Sequence, residues 1–249
     1  MLGSAHGRLS DEFGGLRHAD SRLTSRVLKV VGGIERAPSE SLPKQMVTEA
    51  ELEGAYRLFA NDDVSMGGLL APHIERSVER CSGNPVVRVL HDTTTLRFDG
   101  EREGLGSLGG DARGFFLHVA LATGADEARE PFGLLGVRTH INEEVWPSKK
   151  RSHSQRANAC ATKPRDQKSS SRWEKQALAV EKLVPDGTRA IHVMDQEADD
   201  YAMMATLLAH DCAFVIRASG DRRLEPGGPT IREALGGETP RLLRTVEVN

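Results

Sequence analysis

The residues with the clearest chemical potential are two aspartates that each follow an apolar run. PVVRVLHDTTTLRF (Pro85–Phe98) sets Asp92 after the strand candidate Val86–His91 and ahead of three threonines. AIHVMDQEADDY (Ala190–Tyr201) repeats the pattern with Asp195. In an open α/β sheet, ligands bind at the carboxyl ends of strands. Two carboxylates there, on neighbouring strands, can share a hard divalent cation such as Mg²⁺ or Mn²⁺, which prefers oxygen ligands. Two such ions about 3.5–4 Å apart serve phosphoryl transfer, one activating the attacking hydroxyl and the other stabilising the leaving oxygen. The competing reading is local, because an aspartate after a strand is a common helix N-cap. On the residues alone both readings stand.

The elements that must position these aspartates can be read along the chain. Leu23, Val27, Val30 and Ile34 step by four, three and four, as one face of a helix does, with Gly32 and Gly33 weakening its end. Thr48 and Glu51 form a capping-box pattern that opens a helix through Tyr56 to Phe59. A third helix is expected over Gly68–Cys81, with Leu70, Ile74, Val78 and Cys81 on one side. From Pro85 the character changes. Strands are expected at Val86–His91, Phe115–Ala122, Leu134–Thr139, Ala190–Met194 and Ala213–Ala218. Helices through Trp173–Val184 and Tyr201–His210 separate the late strands. That order predicts a mixed α/β sheet with parallel crossovers late in the chain. The tail after Ala218 is turn-rich.

The 249 residues suffice for one large or two modest domains, and 38% hydrophobic with 28% charged residues is ordinary for a globular protein. A net charge of −3 argues mildly against nucleic acid as a partner, but its distribution does not. Between Lys149 and Lys175 stand nine Lys or Arg residues against Asp166 and Glu174. Such a block is a solvated loop or a phosphate-facing one. Cys81, Cys160 and Cys212 are widely spaced and odd in number, which suits a reducing compartment. The N-terminus lacks the apolar core of a signal peptide, and no run approaches the ~20 apolar residues of a membrane span.

Taken in order, several segments resemble the Tn-five-like, or insertion-sequence-four, group of bacterial DDE transposases. DSRLTSRVLKV resembles the Asp-Pro-Arg-Arg-type helix of that group's N-terminal DNA-binding domain, and ELEGAYRLFANDDVS its Glu-Gly-Ala-Tyr-Arg segment. LHDTTTLRF is similar to the first catalytic Asp with its threonines. LGSLGGDARGFFLHVALA is similar to the second-strand region, VMDQEADDY to the Asp-Arg-Glu-Ala-Asp box, and AFVIRAS to the strand after it.

The resemblance implies an incomplete RNase H-like mixed sheet preceded by a small all-helical DNA-binding domain. The expected bounds are residues 1–80 for the helical domain and 84–249 for the catalytic one. It implies a cut-and-paste transposase acting on double-stranded DNA at terminal inverted repeats, with Mg²⁺ or Mn²⁺ as cofactor, in the bacterial cytoplasm at the nucleoid. Asp92 and Asp195 would be catalytic metal ligands. Arg22, Arg26, Arg113, Lys149, Lys150, Arg151 and Arg217 would contact DNA. Departures from the pattern matter too. The Tyr-x-x-Arg-x-x-x-Glu-x-x-x-x-x-x-Lys signature of the third metal ligand does not occur in this sequence, and Gln196 and Leu23 stand where arginines are usual. The expectation is therefore a C-terminally truncated, inactive or weakly active transposase, able to dimerise with a full-length one. The rival expectations are a non-catalytic DNA-binding protein that interferes with a full-length transposase, and a metal-dependent nuclease of the same fold.

Overall fold

The structure, a computed structural model, describes residues 9–16, 21–100, 102–109, 111–142 and 171–236. Lys149, Lys150, Arg151, Cys160 and the last thirteen residues, 237–249, lie outside them. Helices come first: α1 (Leu9–Glu12), α2 (Ser21–Arg36), α3 (Leu42–Gln45), α4 (Glu49–Phe59) and α5 (Met66–Cys81). Strands β1 (Val86–Phe98), β2 (Gly106–Gly109), β3 (Ala112–Gly124) and β4 (Pro131–His140) follow. Then come α6 (Ser171–Glu181), β5 (Arg189–Met194), α7 (Tyr201–Ala209), β6 (Ala213–Ile216) and α8 (Ile231–Leu235). The expected class, a helical N-terminal region followed by a mixed α/β sheet, is the one observed.

The first helices close on their own small core. Leu23, Val27, Val30 and Val31 of α2 meet Ala55 and Leu58 of α4, with Leu16 and Met46. Burying each large aliphatic side chain here is worth about 1.5–3 kcal/mol. Ile34, expected on the core face, is instead 36% exposed. The helix also runs past its glycines to Arg36. Gly33 is buried at the crossing with α3, where a Cβ would collide with the Met46 methyl and the Gln45 carbonyl. Thr48 caps α4 as expected, accepting the Glu51 amide at 3.2 Å, while the Glu51 carboxylate accepts the Val47 amide at 2.9 Å.

The sheet orders its strands β2-β3-β1-β5-β6, with β4 also on β3. β1 is antiparallel to β3 and parallel to β5, and β5 is parallel to β6. β1 does not stop at His91. It pairs with β3 from Val87↔Gly124 to Phe98↔Arg113, and the β-branched Thr93, Thr94 and Thr95 suit that extension. What ends near Asp92 is the β5 pairing, whose last partners are Leu90↔Val193. In the tail, read from sequence as turn-rich, Thr230 and Glu233 form a capping box that opens the short α8.

One face of the sheet is covered. Val87, Val89, Ala120, Ala122, Leu135 and Ala190 are buried with Cys81 of α5 and Val180 of α6. Trp173 and Ala177 of α6, Met203 and Leu207 of α7, and Met194 form an adjoining cluster. α5 thus contributes to the sheet's core. Its Arg80 donates to the Phe132 carbonyl at 2.8 Å, and its His73 Nε2 accepts the Leu134 amide at 3.1 Å. The opposite face carries Leu90, 38% exposed, and Val215, 59% exposed.

Candidate functional site

Register decides where the aspartates stand. From Val86↔Arg189 to Leu90↔Val193 the offset between β1 and β5 is constant. Two residues further along, the same offset would set Asp92 level with Asp195, which caps the turn that follows β5. Strand side chains alternate between faces, so Asp92 shares the face of Leu90, opposite the covered core, and β5 continued by one residue would set Asp195 on the side of Val193. β5 and β6 pair Ile191↔Ala213 and Val193↔Val215, and the Arg217 amide donates to the Met194 carbonyl at 3.1 Å. Arg217 is therefore the next residue in the row. Asp92 lies within β1, while Asp195 and Arg217 each lie one residue past the ends of β5 and β6, so the continued register runs through all three; neighbouring strands lie about 4.8 Å apart.

Both carboxylates are oriented locally. Asp92 Oδ1 accepts its neighbour Thr93's amide at 2.8 Å, and Asp195 Oδ1 accepts the Glu197 amide at 2.8 Å, capping the short 3₁₀ turn Gln196–Ala198. The capping reading of Asp195 is thus realised in the fold. It engages one oxygen in one bond, and a carboxylate has about four acceptor positions.

The acids after Asp195 are each committed elsewhere. Glu197 pairs with Arg172 at 2.5 Å. Asp199 accepts the Ser219 amide at 2.7 Å and pairs with Arg222, whose guanidinium together with Ser219 holds its carboxyl down at about 2. Asp200 caps α7 through the Ala202 and Met203 amides. Among the described residues, no group of three or more His, Cys, Asp or Glu side chains is placed to hold a metal ion. Asp92 and Asp195 together would offer two hard oxygen ligands. That fits one Mg²⁺ or Mn²⁺ completed by water and a phosphate, since Mg²⁺ is commonly bound through one or two carboxylates.

Beneath this row, on the covered face, runs a polar chain that sequence reasoning missed. Arg172 Nε donates to Thr93 Oγ1 at 3.1 Å, and Thr93 Oγ1 lies 2.8 Å from His118 Nδ1. His118 Nε2 lies 3.4 Å from His91 Nδ1, and His91 Nε2 lies 2.8 Å from His192 Nδ1. His192 Nε2 ends the chain on the Glu181 carboxylate at 2.9 Å. Arg172 can only donate and Glu181 only accepts, so with neutral imidazoles one proton arrangement satisfies every link: each histidine carries its proton on Nε2. Burial drives His91 well below its ordinary value, aided by His192 and His118. Burial likewise takes His118 to about 4, with Arg172 reinforcing it and Asp92 opposing it. Trp173 seals the chain, its ring 4.6 Å from that of His118. The available signal was alternation: His91 and Thr93 flank Asp92, so they face the other way.

The remaining expected residues fall into separate places. Arg172, counted in the basic block, is buried against Thr93, Glu197 and the Phe116 ring rather than solvated. Arg113 is exposed and pairs with Phe98, six positions beyond Asp92 and about 20 Å along the strand. Arg22 and Arg26 line a recess of about 210 Å³ on α2 with Ser25 and Lys29, the last a basic residue the sequence reading had not singled out. Leu23 faces the helical core at 7% exposure, so an arginine is absent there because the position is interior. Gln196 is exposed.

Residues 6–64 match the family model described as transposase DNA-binding. The matched residues take in α1 to α4 of the N-terminal helical region. Among solved structures, the chain is similar to the piggyBac transposase in its synaptic complex with hairpin DNA, with a TM-score of 0.42 and 11% identity. That alignment covers 91% of this chain and 46% of that one, so the chain spans just under half the length of the piggyBac transposase chain. A TM-score that low does not establish a common fold. No helix among the described residues is long and apolar enough to cross a membrane.

Proposed function

We propose that this protein is a cut-and-paste DNA transposase of the Tn-five-like group, acting at transposon ends in the bacterial cytoplasm. Its helical region would span residues 1–80 and its RNase H-like region residues 84–249, with α5 bridging the two. The observation that carries the reading is the strand register that leads to Asp92, Asp195 and Arg217, in the same chain as a transposase DNA-binding match. Support for the RNase H-like assignment is the run of three antiparallel strands (β1, β3, β4) followed by two parallel crossover strands.

In this reading Asp92 and Asp195 hold Mg²⁺ or Mn²⁺. A bound ion of this kind activates a hydroxyl and stabilises the oxygen that leaves phosphorus. Asp195 is kept in orientation by the Glu197 amide. Arg217 offers a fixed positive charge one strand away, suited to a DNA phosphate. Arg22, Arg26 and Lys29 present a basic stripe at i, i+4 and i+7 for the duplex backbone. The basic residues Lys149, Lys150 and Arg151 would add phosphate contacts.

A second reading is favoured by one observation: Glu197, Asp199 and Asp200 all have structural partners, so no third carboxylate joins the pair among the described residues. The protein would then bind transposon ends without joining them and interfere with a full-length transposase, by dimerisation or by occupancy. Gel shifts on terminal inverted repeats at several salt concentrations, with Mn²⁺ cleavage in parallel, separate the readings. End-specific binding with nicking supports the transposase, end-specific binding alone supports the interfering protein, and nicking without end specificity supports a nuclease. Removing Arg26 should lower the salt slope of binding by about 1.

A further inference from the structure

The two aspartate-bearing strand tips are joined from behind by one buried guanidinium. Arg172 opens α6 and is 7% exposed. Its Nε donates to Thr93, the residue after Asp92, and its Nη2 to Glu197, whose amide in turn donates to Asp195 Oδ1. Thr93 is fixed in addition by His118, and Glu181, the last residue of α6, is tied through His192 to β5. α6 is therefore bolted at both ends to the strands that carry the carboxylates. Thr93 and Asp92 project to opposite sides of β1, so Arg172 holds Asp92's strand from the covered side, and the Asp195 carboxylate acts on it through its charge.

We infer that Arg172, through Thr93 and Glu197, is a positioning residue that sets the separation of Asp92 and Asp195 for a shared divalent cation. The inference rests on the proposed function, since it concerns the same carboxylate pair. The physical basis is that a planar guanidinium presents donors in a rigid fork, so fixing two acceptors fixes the distance between the elements bearing them. Groups behind the ligands commonly change metal affinity about 10–100-fold when removed.

The test is Mn²⁺ titration of the full chain, read by electron paramagnetic resonance of the free ion, with circular dichroism to verify folding. Asp92→Asn should abolish binding. Thr93→Val, which deletes the acceptor at nearly constant shape, should weaken it about 10-fold, and Thr93→Ser should restore it. Glu197→Ala removes the second arm from a side chain that is 55% exposed, so its effect on affinity can be read even if the valine variant fails to fold. Wild-type affinity in Asp92→Asn would overturn the carboxylate-pair reading and the inference with it. Loss in Asp92→Asn with wild-type affinity in both Glu197→Ala and the folded Thr93→Val, or in Glu197→Ala alone if the valine variant is unfolded, would overturn the positioning role and leave the pair intact.

Discussion

The two faces of β1 and β5 differ in how they treat polar groups. On the open face, Asp92 and Arg217 are exposed and Asp195 is half-buried, beside Leu90 and Val215. On the covered face, His91, a single residue from Asp92, joins His118 and His192; all three are at most 5% exposed and passed from partner to partner. A buried polar group must be satisfied or it costs about 1–3 kcal/mol, so the covered face is a closed chain with one proton order. An open-face carboxylate has no such obligation and keeps acceptor positions for a ligand. The same strand alternation that buries the histidines leaves the aspartates available.

The sharpest way to break this contrast is at Trp173. It is fully buried and roofs His91 and His118, so Trp173→Ala should cost about 3–5 kcal/mol in urea unfolding. Acid should come next. The unfolded chain takes up a proton on His118 near 6.5, whereas the native imidazole resists until about 4. Between those values the unfolded state binds more protons. Stability should be complete above pH 6.5 and fall as pH drops, by up to about 1.4 kcal/mol per unit for His118 alone. His91, also depressed, steepens the slope, and a slope that ignores His118→Phe would disprove a neutral chain.

Gly114 lies where β1 and β3 pair beyond the aspartates, and a Cβ there would run into the Leu96 carbonyl. Gly114→Ala should destabilise by about 1–3 kcal/mol in thermal melts. On the open face the expected stability effects shrink. Asp195→Ala loses a cap for about 1 kcal/mol, while Asp195→Asn, which can still cap, should leave the melt nearly unchanged and remove Mn²⁺ binding. Leu90→Thr should stay within about 0.5 kcal/mol. A large loss there would mean that the open face is covered by something in solution.

Much of this is legible in the sequence. Periodicity located α2, α5 and α6, a capping box located α4, and apolar runs located β1, β3, β4, β5 and β6, because burial imposes its period on the side chains it selects. Boundaries were less so. The length of β1 depends on β3, a partner elsewhere in the chain, and Ile34 lost its core position to Val31 because α3 crosses at Gly33. Capping signals were local and readable, and Thr230-x-x-Glu233 could have announced α8. Arg172 misled for the opposite reason: within a run of Lys and Arg nothing marks the one that turns inward.

The sequence by itself determined which residue types could do chemistry, the helices-then-strands order and the match of residues 6–64 to a DNA-binding region. Those properties depend on neighbours a few positions away. Only the tertiary structure decided the register of β1, β5 and β6 that leads to Asp92, Asp195 and Arg217. It also decided that three scattered histidines form a single chain behind them. Strand register is set by pairing between distant segments, and a shift of one residue would have turned either aspartate into the core.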